Sequence, residues 1–268
     1  MPTIHPTAVV DHEARLADDV VVGPYCVIEA HVKIGQGCVL RNHVTVCSYT
    51  EMGQNNVMHA HAVLGGPPQD LKFEPQTVSY LRIGDGNVFR EGVTISRATG
   101  QEQATVVGNG TYWMANAHAG HNCVIGDGVI LVNAVLLGGH CRVGPKAILA
   151  GGSGYHQFCW VGEMSMSQGH TLATMHVPPF VLYAQRNGVV GLNVVGLRRC
   201  RELSDEDRRQ VKEAYRLVYR SRLTPSAALE QMDRCNDWGL AAGRFREFIR
   251  QVITAPAPFH RGLMPASP

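Results

Sequence analysis

The sequence predicts an all-β solenoid, a left-handed parallel β-helix, closed by a C-terminal α-helical cap. Three observations predict it. An aliphatic residue or Met recurs every six positions, a small or β-branched residue follows four places after it, and the spacing turns helical beyond Pro178-Pro179. A helix would repeat its apolar face at 3.6 and a strand at 2. A period of six fits a coil with three flat sides, in which the lead aliphatic points inward and the fifth residue fills the corner. Stacked coils then bury a continuous core.

Taken in order, the hexads begin at Ile4 and lead with Val10, Leu16, Val22, Ile28, Ile34, Leu40, Val46, Met52 and Met58. Fifth positions run Ala8, Ala14, Val20, Cys26, Val32, Cys38 and Val44. The period breaks after Leu64 and resumes at Ile83, giving a loop excursion over 65–82. A second excursion is expected over 101–106, and the repeat then runs from Val107 to Pro178, about 25 hexads in all. Residues 1–180 form the solenoid and 181–195 a connector. A helical domain follows over 196–254. Ser204 with Asp207 makes a capping pair, and Val211, Ala214, Tyr215 and Val218 recur at helical spacing. Thr224-Pro225 opens a second helix, and Ala241, Phe245, Phe248, Ile249 and Val252 mark a third. The Pro-rich tail 255–268 reads as loose.

Composition excludes several classes. A net charge of +2 does not by itself imply a nucleic-acid partner. The N-terminus lacks an apolar run after a basic start, and no window supplies the roughly 18 to 20 apolar residues of a membrane span. The eight cysteines form no CxxC, and Cys26, Cys38, Cys123, Cys141 and Cys159 all hold the small fifth position. The expectation is a soluble, cytoplasmic protein with reduced thiols and no integral membrane segment.

Chemistry enters with "NAHAGHNC", residues 116–123. Residues one coil apart stack, so His121 lies over Gly139, beside His140, with His156 and Gln157 one coil further and His118 near the same corner. None of these histidines holds a lead or fifth position, so they point outward. A neutral imidazole is a natural general base near pH 7. If 101–106 is an excursion, Leu64 shares their face, and Asp70 and Lys72 project over a related edge. Zinc is an alternative, since hexapeptide solenoids of the γ-carbonic anhydrase type hold it between subunits. No spacing here matches a compact ligand motif, and Gln157 is a poor ligand, so no metal ligand is assigned. A merely solvated histidine row, or a non-catalytic scaffold, is the bland reading.

The hexads, "PPQDLKF", "NAHAGHNC", "GGHC", "HQFC", "VPPF" and "GLRR…AYRLVYRS" together resemble the UDP-N-acetylglucosamine 3-O-acyltransferase family of lipid A biosynthesis. The resemblance implies acyl transfer from acyl carrier protein to a sugar-nucleotide hydroxyl, in a homotrimer with sites between subunits. It implies no cofactor beyond the phosphopantetheine that the carrier brings. His121 matches the general base and Gly139 the backbone N–H that meets the oxyanion. His118, His140 and Gln157 match sugar-positioning residues. Gln69 and Asp70 match the acceptor loop that also carries Lys72. Asn193 and Arg199 match nucleotide or phosphate contacts, His156 a histidine near nucleotide or acyl donor, and Gly169 the position limiting acyl length. Nine Lys or Arg against five Asp or Glu over 196–222 suit an acidic carrier. Three positions depart from the family: Asn122 replaces an Asp, Val195 a Glu and Cys200 an Arg. A related acyltransferase with another acceptor, giving ester or amide, is therefore the alternative.

Overall fold

The structure, a computed structural model, describes residues 1–234 and 237–267. Each hexad supplies one short strand, and successive strands join three different sheets in turn. The three sheets contain 11, 9 and 8 strands and are called first, second and third below. All pairings are parallel except the last of the first sheet. This is the left-handed β-helix that the period predicts.

The sequence shapes each coil in two ways. Lead residues such as Ile28, Leu40, Ile95 and Ile125 are buried in the core, together with the five fifth-position cysteines. The thiols of Cys26, Cys38, Cys123 and Cys141 donate to backbone carbonyls. Burial pushes Cys159 up to about 12, so that thiol is a packing group, not a nucleophile. At many corners the fourth residue is left-handed, as at Asn122 (φ 60°), His140 (φ 61°) and Phe158 (φ 69°). That conformation costs an L-residue roughly 1 kcal/mol or more. Here bonds to the neighbouring coil hold it, from His140 N to the His121 carbonyl (2.9 Å) and from Phe158 N to that of Gly139 (3.0 Å).

Both excursions leave the corner between the second and third sheets. Stacked partners lie 18 residues apart in regular coils, 31 across the first excursion and 24 across the second. The second interruption is thus a true insertion, and Val63–Gly66 shares the second sheet with His118–Ala119. Its limits need correction. Strand Ala104–Val107 takes the second half of the expected 101–106, and the loop instead spans 97–103. The first loop is shorter than 65–82, because Val63–Gly66 and Tyr80–Ile83 are four-residue strands that consume both ends.

The regular coils end at Leu172–Ala173. The expected connector 181–195 is largely a hairpin, Val181–Ala184 with Gly188–Leu192, that caps the first sheet. Helices α1 (Val194–Arg199), α2 (Asp205–Tyr219), α3 (Pro225–Asp233) and α4 (Leu240–Ile253) follow. The helical region therefore starts at Val194, before 196, because Asn193 caps α1. Ser204 and Asp207 form the reciprocal capping box that opens α2.

The tail is a correction too, since it is bound rather than loose. Met264 is fully buried, and backbone bonds join His176 to Gly262 and Met264, and Val189 to Pro265 and Ser267. Prolines lack the N–H but leave neighbouring donors free to pair, and Met264 supplies the apolar anchor.

Candidate active site

The corner between the second and third sheets gathers most of the residues singled out in the sequence. His118 lies on strand His118–Ala119 of the second sheet, facing outward, with Thr94 Oγ1 2.7 Å from its Nδ1. His121 begins the following turn and is buried, although its hexad position pointed it outward. The reason is local crowding: its ring lies against the α-carbon of Gly139, where a Cβ would come within 2.7 Å of Cε1 and Nε2. No other residue leaves that ring room. The His140 ring meets His121 edge-on at 5.1 Å and stacks on Phe158 at 4.8 Å.

Asn122 governs the His121 ring. Its Oδ1 accepts from Thr99 N (3.0 Å) and Thr99 Oγ1 (2.9 Å), and stands 2.9 Å from His121 Nδ1. Its Nδ2 donates to Gln103 Oε1 at 2.8 Å. These partners orient the amide so that His121 carries its proton on Nδ1. Nε2 is then the lone-pair nitrogen, the state a general base needs. The amide does this without a negative charge. Burial lowers the pKa of His118, and burial with His121 and Arg142 nearby lowers that of His140, so both rings are neutral at pH 7.

Other sites fall around this corner unevenly. Gln69, Asp70 and Lys72 lie exposed on the first excursion, and the Asp70 charge is felt at His140. His156 and Gln157 are exposed on the next coil, with His156 Nδ1 3.1 Å from the Gln157 carbonyl. Gly169 is elsewhere, at the corner between the first and second sheets beside left-handed His170. Between the two corners the second sheet presents Leu136 and Leu172, each about half exposed, aligned with His118 and Gly154.

Asn193 and Arg199 stand apart from the histidines within this chain. The Asn193 amide accepts from Gly196 N and donates to the Met164 carbonyl, at the corner between the third and first sheets. Both ends of it are thus engaged in holding α1, on which Arg199 is exposed. Thr94, Thr99, Gln103 and Phe158 escape the sequence reading. Phe158 was reachable by counting one coil on from His140. Thr99 and Gln103 were not, because the second loop had no fixed register. Among the described residues no group of three or more His, Cys, Asp or Glu is placed to hold a metal.

Comparison with known proteins agrees with this architecture. A family described as bacterial transferase hexapeptide (six repeats) matches residues 13–48, and "Udp N-acetylglucosamine O-acyltransferase; Domain 2" matches 176–263. An acyl-[acyl-carrier-protein]–UDP-N-acetylglucosamine O-acyltransferase of Anaeromyxobacter sp. (strain Fw109-5) is 42% identical, over 86% of this chain and 90% of its own. One from Herminiimonas arsenicoxydans is 37% identical over 96% and 98%. The crystal structure of UDP-N-acetylglucosamine O-acyltransferase from Moraxella catarrhalis RH4 superposes with a TM-score of 0.90, at 37% identity, covering 97% of this chain and 99% of that one. With matching repeats, cap and near-complete length, this chain belongs to the UDP-N-acetylglucosamine O-acyltransferase family.

Proposed function

We propose that this chain transfers an acyl group from an acyl carrier protein thioester to the 3-hydroxyl of UDP-N-acetylglucosamine, the first step of lipid A biosynthesis. One observation supports the chemistry above the others: a histidine whose Nδ1 is fixed by Asn122 and whose ring rests on Gly139. His121 Nε2 takes the proton of the acceptor hydroxyl, whose oxygen attacks the thioester carbonyl. The tetrahedral oxyanion forms beside the Gly139 N–H, which among the described residues has no hydrogen-bond acceptor. Collapse breaks the C–S bond, and the proton on His121 passes to the departing thiolate. The products are an ester and the free carrier thiol, and no cofactor is consumed.

His118, His140, Gln157 and the loop residues Gln69, Asp70 and Lys72 position the sugar, and His156 lies toward the nucleotide or the acyl donor. The acyl chain runs over Leu136 and Leu172 toward Gly169, whose missing side chain leaves space for a longer chain. Because Asn193 and Arg199 sit at a different corner of the same coils, they reach a site only in a neighbouring copy, which supports a homotrimer with sites between subunits. Exposed Lys212, Arg216 and Arg220 on and beside α2 offer an acidic carrier protein a docking face. The cytoplasm is the proposed place of action. Among the described residues no helix is long and apolar enough to cross a membrane.

The test is mass spectrometry of the purified protein mixed with acyl carrier protein thioesters and a panel of sugar nucleotides. An alkali-labile acyl-UDP-N-acetylglucosamine is expected, with turnover lost by a factor of about 10³ in His121→Ala. An alkali-stable amide, or full activity in His121→Ala, would sink the acceptor or the base respectively.

A further inference from the structure

Arg97 lies beneath the first excursion and is only 7% exposed. Its Nε and Nη1 are buried and have no hydrogen-bond partner, and among the described residues no carboxylate pairs with it. A buried cation without a partner is costly unless something else stabilises it. Here two aromatic rings do, with the guanidinium carbon 5.2 Å from the Tyr49 centroid and 5.4 Å from that of Phe73. Tyr49 belongs to a left-handed corner of the solenoid, whereas Phe73 belongs to the loop.

The backbone around Arg97 fastens the base of that loop. Arg97 N donates to the Gly66 carbonyl at 3.0 Å, and Ala98 N to that of Tyr80 at 3.3 Å, one at each end. The outer part has little packing of its own, since Leu71 is fully exposed. Phe73 is tied instead to Asp70: Phe73 N donates to the Asp70 carbonyl at 2.9 Å, and Lys72 N to Asp70 Oδ1 at 2.9 Å. Whatever holds Phe73 therefore holds Asp70.

We infer that Arg97 is a positioning residue for the acceptor loop: by gripping the Phe73 ring it fixes, through the Asp70–Phe73 turn, where Asp70 stands over the His140 corner. The inference rests on the reading of this loop as part of the sugar-nucleotide site. The guanidinium suits the task because its planar, delocalised cation stacks on ring faces without needing a carboxylate.

The experiment compares Arg97→Met, Arg97→Lys, Phe73→Leu and the Arg97→Met/Phe73→Leu double variant with the wild-type chain. KM is measured separately for UDP-N-acetylglucosamine and for the carrier thioester, alongside the rate of tryptic cleavage after Lys72. Arg97→Met should raise KM for the sugar nucleotide about tenfold, leave KM for the carrier unchanged, and speed cleavage after Lys72. Phe73→Leu should do the same, the double variant should be no worse, and Arg97→Lys should recover part of the loss. Phe73 lies on a surface loop, so its variant answers the question even if Arg97→Met does not fold. Unchanged KM and cleavage overturn the inference. So does a parallel rise in both KM values with a lower Tm, which would mean general destabilisation. A wild-type chain that transfers no acyl group would sink the functional reading instead, while cleavage after Lys72 still decides the clasp.

Discussion

The His121 ring occupies the space that a Cβ on residue 139 would need, with contacts that would fall to 2.7 Å. Gly139→Ala must therefore push the ring aside by a large part of an ångström. A misplacement of that order costs about 10²-fold in rate. We expect kcat to fall by that factor with Tm nearly unchanged; wild-type kcat in the variant would remove Gly139 from the site. At Asn122 the geometry gives a signed prediction. Asn122→Asp keeps an acceptor toward Thr99 and His121 but adds a negative charge, which favours imidazolium. The acid limb of the pH–rate profile should move to higher pH. A profile that stays put would mean that Asn122 does not act on His121.

At the scale of elements, the C-terminal tail is the part whose role the structure most changes. His176 is fully buried, its Nδ1 accepting from Trp160 N at 3.0 Å and its Nε2 donating to the Phe259 carbonyl at 2.8 Å. Deleting residues 255–268 would orphan that donor and uncover the seat of Met264. Together these should cost about 3 kcal/mol or more, lowering Tm by roughly 6–12 °C. An unchanged thermal transition would show that the tail merely rests on the surface. The loops make the converse point. The broken period marks where each one starts, but not its length or whether the two share a corner, because 101–106 reads equally as an excursion or as an irregular hexad. Pairing of Tyr80–Ile83 with Ala104–Val107 settles it.

For the whole molecule, three buried or half-buried imidazoles link stability to pH. Burial holds His118, His140 and His176 below the ordinary 6.5. Between the unfolded and folded values the unfolded chain binds more protons, so stability is complete above about pH 6.5 and falls as pH drops below it. Tm should thus decline from pH 7 to pH 5.5, and less steeply in a His176→Gln variant once its own lower baseline is subtracted. Equal slopes would place the effect elsewhere.

The six-residue period alone determined the solenoid, the meeting of His121 and His140 at one corner and the buried cysteines, because a buried aliphatic in every hexad is a requirement of close packing and leaves its mark on each coil. The capping residues likewise announced α2 and α3. Only the tertiary structure decided that Asn122 is clasped by Thr99 and Gln103, that Arg97 meets Phe73, and that a Pro-rich tail is anchored through Met264. Each of these joins segments far apart or of irregular register, at one place in the molecule. A repeat can be read from one chain because it is stated many times. A contact made once exists only after the coils have stacked.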